Sequence, residues 1–153
     1  MIAPPQSLLF LCLGNICRSM LALGIATHII KVKGLDLKVD AAGISSFHQG
    51  QSPHPPIIKL AQKHGINIAH FKSKPITQSL ANSYDWIIVM DTSNIKALSD
   101  LHIVHSHVYK LGDFGLGGVD IPDPYTFTQE KDLEEVYKMI DLGVKTLLSS
   151  YHA

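Results

Sequence analysis

The chain has 153 residues, 46% hydrophobic and 17% charged, with 13 basic against 13 acidic side chains and a formal net charge of zero. That length and apolar content predict a single domain over residues 1–153 with its own buried core. The neutral balance gives no general pull toward nucleic acid or an anionic membrane, the apolar run Leu8 to Leu13 is too short to cross a bilayer, and no cation precedes it as a secretory signal requires.

The first predicted element is a strand, Ser7 to Cys12, a short continuous apolar run suited to burial on both faces. Apolar residues at helical spacing then predict a helix over Cys17 to Lys33. Between them lies Cys12-Leu13-Gly14-Asn15-Ile16-Cys17-Arg18-Ser19. A strand-to-helix loop of this kind brings backbone N–H groups and a helix N-terminus to a small concavity of positive potential suited to phosphate. Gly14 permits the tight curvature, and Asn15 tolerates a left-handed conformation. Arg18 is the only arginine beside twelve lysines, which points to planar, two-pronged recognition of an oxyanion, a task a lysine does not perform. Cys12 is placed at the floor of the cradle. Amide dipoles and a nearby guanidinium favour its thiolate and are expected to bring its pKa below the ~8.5 of a free cysteine. Ser19 is placed to donate a hydrogen bond to that sulfur.

Further along, strands are predicted at Leu37 to Gly43, Tyr84 to Met90 and His107 to Lys110. Helices are predicted at Pro55 to His64, Thr92 to Leu101 and Gln129 to Ser150, with a shorter one around Ile76 to Asn82. The alternation predicts an α/β fold of three layers, a four-stranded parallel twisted sheet with helices on both faces. Right-handed crossovers place the first strand centrally and open a crevice at the carboxyl ends of the strands, where Cys12 lies. The glycine-rich stretch Asp113 to Asp123 reads as a long loop over that crevice. Its end, Ile121-Pro122-Asp123-Pro124-Tyr125, sets one carboxylate between two prolines, on a backbone stiff enough for a proton donor. His102, His105 and His107 cluster without a cysteine or a regular ligand pattern, so no metal site is expected there. His54 is expected on a surface loop, and the acidic stretch Glu130 to Glu135 supplies favourable charge to the start of the last helix.

The loop Cys12 to Ser19 taken with Asp123-Pro124-Tyr125 resembles the low-molecular-weight protein tyrosine phosphatases. Phe47-His48-Gln49-Gly50-Gln51-Ser52-Pro53, His64-Gly65-Ile66-Asn67, His70 and Met90-Asp91-Thr92-Ser93-Asn94 resemble family segments in the same order. The resemblance implies a Rossmann-like fold with the phosphate loop after the first strand, and a two-step reaction without metal or cofactor. In it Cys12 is the nucleophile, Arg18 the phosphate clamp and Asp123 the general acid and then base. The loop residues Leu13, Gly14, Asn15, Ile16, Cys17 and Ser19 bind or support the phosphate. Leu13, Phe47 and Tyr125 line a deep slot for an aryl ring, favouring phosphotyrosine over the shorter phosphoserine.

Some positions depart from the family pattern. Met20 replaces a usual proline, and Thr126 replaces a second aromatic. Ala41 stands where a serine commonly holds the loop asparagine, so the resemblance implies that Asn15 relies on His70 packed beside it. Cys17 raises a reversible disulfide with Cys12, to be weighed against a plain buried thiol.

The implied partners are a phosphotyrosine protein or peptide, and inorganic phosphate as product and inhibitor, with no nucleic acid or membrane and with a monomer or weak dimer as the assembly. A working thiolate requires a reducing compartment, here the cytoplasm. Three other readings remain: an arsenate reductase on this scaffold, which relays oxidation to a third cysteine this chain lacks; a phosphoarginine phosphatase, which carries threonine where Ile16 stands; and a phosphate-binding module without catalysis, which needs neither Cys12 nor Asp123.

Overall fold

The computed structural model describes residues 4–152. Four strands, β1 (Ser7–Cys12), β2 (Lys38–Gly43), β3 (Trp86–Val89) and β4 (Val108–Lys110), form a parallel sheet in the order β2-β1-β3-β4. Five helices connect and cover them: α1 (Arg18–Lys33), α2 (Pro55–Lys63), α3 (Gln78–Asn82), α4 (Thr92–Asp100) and α5 (Glu130–Leu148). Each predicted element is present, shorter by one or two residues at some ends, where strand residues extend past the paired ladder and helix ends pass into caps.

β1 is central, as expected, and its neighbours show why the crevice opens there. It pairs β2 on one side, from Ser7 against Lys38 to Cys12 against Gly43, and β3 on the other, from Leu8 against Trp86 to Leu11 against Val89. The chain thus reverses its winding direction beside β1, and the connections leaving the carboxyl ends of β1 and β3 diverge around a cleft.

The two faces of β1 feed two cores, since successive side chains point to opposite sides of a strand. Leu8, Phe10 and Cys12 face α1, α2 and α5, and join Met20, Leu21, Ile57, Leu60, Ile140 and Val144. Leu9 and Leu11 face the other way, with Ala81, Ile87, Val89 and Leu98, under α3 and α4. Every residue of β1 is buried, which accounts for the unbroken apolar run. The first half of α1, Arg18 to Ala26, is buried all round between the sheet and α5. Met20, the departure from proline, is one of its core side chains. Among the described residues no helix is long and apolar enough to cross a membrane.

Candidate active site

The segment Cys12 to Ser19 folds as a cradle because its carbonyls are held from outside. The Leu13 carbonyl accepts from the Ser45 N–H (2.8 Å), that of Ile16 from His54 (2.9 Å) and that of Cys17 from Leu21 (3.0 Å). The Gly14 carbonyl accepts from the Ser73 hydroxyl (3.1 Å). In a trans peptide the C=O and the following N–H point in opposite directions, so these anchors turn the N–H groups of Gly14, Asn15, Cys17 and Arg18 inward. None of those four donates to a protein acceptor among the described residues. Helix α1 begins at Arg18 with no side-chain cap, so its positive end adds to the same concavity.

Asn15 holds the loop from beneath. It is fully buried, with a left-handed φ of 55°. Its Nδ2 donates to Ser19 Oγ (2.8 Å) and its Oδ1 accepts from the Lys74 N–H (3.0 Å). Gly43, the last residue of β2, presses on this turn: a Cβ there would stand 2.9 Å from Asn15 Cβ. The expectation that His70 supports Asn15 is not met. The His70 ring is exposed and lies edge-on to Phe71, and backbone from Lys74 takes the place of both that imidazole and the hydroxyl missing at Ala41.

Cys12 ends β1 with its sulfur 3.0 Å from Ser19 Oγ. Because Asn15 already donates to that oxygen, the Ser19 proton is free to point at the sulfur, and toward a thiolate Ser19 is the donor. Cys17 is also a free, buried thiol. Burial first, then the negative charges of Cys12 and Asp123, push its pKa well above the ordinary thiol value, against a smaller opposing pull from Arg18. It is therefore neutral.

Arg18 is 2% exposed, and one edge of its guanidinium is fully engaged. Nη1 donates to Asp91 Oδ2 (2.6 Å) and to the Ile121 carbonyl (2.7 Å). Nη2 lies 4.0 Å from Asp123 Oδ2, and the buried Nε has no partner among the described residues. An unpaired buried N–H is costly, and the planar fork matches two oxygens of a tetrahedral anion. Asp91 caps α4, accepting from the Asn94 N–H (3.0 Å) and from Ser93 Oγ (2.5 Å). Burial works against its charge, but the hydrogen bonds from Ser93 and Arg18, the Arg18 charge and the Asn94 N–H together hold its carboxyl below the usual range. No feature of the sequence marked Asp91 as Arg18's anchor, although it stood within a segment already compared with the family.

Asp123 stands between Pro122 and Pro124 with its side chain partly exposed and its Oδ1 accepting from the Tyr125 N–H (3.1 Å). The acid loop is tied down beside it, where the Ile121 N–H donates to the Met90 carbonyl (2.9 Å). Cys12, Arg18 and Asp123 line one open cavity of about 300 Å³, together with Leu13, Gly14, Ile16 and Cys17. Phe47 and Tyr125 form its walls, and so do Ser45 and His48, which the sequence reading did not select. His48 packs at 4.8 Å from the Phe47 ring and 5.9 Å from that of Tyr125, while the His54 ring lies 4.7 Å from that of Tyr125. His54 lies in the loop before α2, as expected, and there, half-buried, it adds to an aromatic rim.

The protein from Bacillus subtilis named low molecular weight protein-tyrosine-phosphatase YfkJ is 35% identical over 150 residues, 94% of each chain. Its crystal structure superposes with a TM-score of 0.85, covering 98% of this chain and 96% of that one at 33% identity. Vibrio vulnificus Wzb in complex with benzylphosphonate gives a TM-score of 0.82 at 25% identity, covering 92% and 94%. A structure described as DARP, Drosophila arginine phosphatase, gives 0.83 at 27%, covering 93% and 95%. The family model for low molecular weight phosphotyrosine protein phosphatase matches residues 7–153. With that match, and with a thiol, a cradle of inward amides and a buried guanidinium drawn from one loop, the chain belongs to the low molecular weight phosphotyrosine protein phosphatase family.

Proposed function

We propose that this protein hydrolyses phosphotyrosine in proteins or peptides through a cysteinyl-phosphate intermediate. The Cys12 thiolate attacks phosphorus, forming an S–P bond as the bond to the phenolic oxygen breaks. Asp123 gives that oxygen its proton. The inward amides and the Nε and Nη2 edge of Arg18 receive the equatorial oxygens as charge spreads over them. Water then attacks phosphorus, Asp123 takes its proton, the S–P bond breaks and inorganic phosphate leaves, with Ser19 stabilising the departing thiolate.

The observation that carries this reading is the unpaired Arg18 Nε, buried in a cavity that Cys12 and Asp123 also line. A module built only to bind phosphate has no use for a sulfur backed by a hydroxyl at 3.0 Å, nor for a carboxyl 4.0 Å from the clamp. The exposed apolar walls Leu13, Phe47 and Tyr125 suit an aryl ring above the cradle. Benzylphosphonate, present in the Wzb structure, has the same pairing of ring and tetrahedral anion.

Release of inorganic phosphate from a phosphotyrosine peptide, lost in Cys12→Ser, tests the proposal. Phosphoarginine offered in parallel separates the two phosphatase readings, and the tyrosine reading expects the peptide to be turned over with the higher kcat/KM. The reaction needs the thiol reduced, which favours the cytoplasm, and the cavity is complete within one chain, which favours a working monomer.

A further inference from the structure

Ser73 lies outside the cavity, between α2 and α3, and is 3% exposed. Its backbone pairs with the wall loop: the N–H donates to the Gln51 carbonyl (2.9 Å) and the carbonyl accepts from the Gly50 N–H (2.8 Å). Its hydroxyl reaches across to the Gly14 carbonyl at 3.1 Å. The next residue repeats the pattern, Lys74 donating its N–H to Asn15 Oδ1 (3.0 Å) and accepting at its carbonyl from Gly43 (2.9 Å). Lys74 Nζ pairs with Asp40 of β2 at 2.5 Å, and Pro75 bridges to Gly43, so this short strap is fastened to the sheet edge.

The peptide joining Gly14 to Asn15 has an anchored side chain on its Asn15 side only. Glycine on one side turns freely, and Asn15 on the other is already left-handed. Rotation of this peptide would withdraw the Asn15 N–H and turn a carbonyl dipole toward the bound anion. The Ser73 hydroxyl is the one donor to the Gly14 carbonyl among the described residues.

We propose that Ser73 is a positioning residue: by holding the Gly14 carbonyl outward, its hydroxyl keeps the Asn15 N–H aimed at the phosphoryl oxygens. The proposal takes its anion from the phosphatase reading above, but it concerns phosphate binding and stands apart from turnover.

The test is titration of the full chain with inorganic phosphate, alongside kcat and KM for p-nitrophenyl phosphate, in wild type, Ser73→Ala and Ser73→Thr. Loss of one hydrogen bond predicts that Ser73→Ala weakens phosphate binding and lowers kcat/KM by about fivefold each, with Ser73→Thr restoring both. Phosphate affinity unchanged in Ser73→Ala, or an equal loss in Ser73→Thr, would overturn the proposal. Should Ser73→Ala not fold, the wild-type Asn15 amide followed by NMR during the titration decides: a phosphate-dependent shift supports the proposal and no response overturns it. A wild type that binds phosphate but turns over no aryl phosphate, while Ser73→Ala still binds more weakly, sinks the catalytic reading and leaves this one standing.

Discussion

Arg18 and Asp91, 73 residues apart in sequence, meet through a 2.6 Å contact between Nη1 and Oδ2, with 3% and 17% of their side chains exposed. The carboxylate holds the guanidinium from behind, so the opposite edge is aimed before any anion arrives. This pre-aiming is the kind of arrangement that stabilises developing charge without reorganisation.

Asp91→Asn isolates that pair, because asparagine caps a helix about as well as aspartate. The variant should lose about 2 kcal/mol of stability at neutral pH and at least about tenfold in kcat/KM, since both the buried charge and the aim of Arg18 are disturbed. The pH dependence follows from a folded-state pKa held below the ordinary 3.8. Stability of that origin is complete above the unfolded value and disappears as the pH falls through the folded one. Urea unfolding of both proteins should therefore show a constant gap from pH 7 down to about 4, closing in stronger acid. A gap that closes above pH 5 would assign the stabilisation to another group.

Cys12→Ser removes the nucleophile while keeping a group of similar size against Ser19. Turnover of p-nitrophenyl phosphate should fall by roughly a thousandfold or more, with inorganic phosphate still binding to the amides and Arg18. Residual turnover near the wild-type rate would transfer the nucleophile's role elsewhere.

Asp123→Asn bears on the leaving group. Phenolate from phosphotyrosine needs a proton as it departs, and p-nitrophenolate much less. The loss in kcat/KM, which reports the steps through departure of the leaving group and not the hydrolysis common to both substrates, is expected at about 10²-fold or more for the peptide and clearly less for p-nitrophenyl phosphate. Equal losses on the two substrates would remove Asp123 from the acid role.

Phe47 is 80% exposed at the mouth of the cavity, so it contributes to the binding surface and little to the core. Phe47→Ala should change unfolding stability by no more than about 0.5 kcal/mol while raising KM for aryl phosphates several-fold at nearly constant kcat. An unchanged KM would exclude it from the wall.

The phosphate loop was readable because its parts are contiguous: a thiol, a turn glycine, a left-handed asparagine and a solitary arginine keep their meaning in sequence order. Asp123 was readable for a related reason, since Pro122 and Pro124 mark its backbone as rigid. The sheet followed from unbroken apolar runs, with β1 buried on both sides. Partners that depend on tertiary approach left no such mark. Asp91 looks like any helix cap until β3 and α1 are brought together. Lys74 serves Asn15 through a backbone N–H that every residue except proline possesses, so nothing in the sequence singles it out, whereas the imidazole of His70 is a side chain that a family resemblance can point to. His48 and His54 became part of the rim only when the loop bearing them folded against Tyr125.

Anchoring the outward carbonyls from several parts of the chain has a consequence for partial unfolding. The donors Ser45 and His54 sit on the connection from β2 to α2 and Ser73 on that from α2 to α3, two connections paired through the backbone of Ser73 with Gly50 and Gln51, while Leu21 belongs to the first turns of α1. Detaching either of those connections releases a peptide of the turn although every helix and strand survives. Catalytic competence is in this sense a sensor of peripheral order, and it is set to vanish in mild denaturant before the far-ultraviolet spectrum records any change.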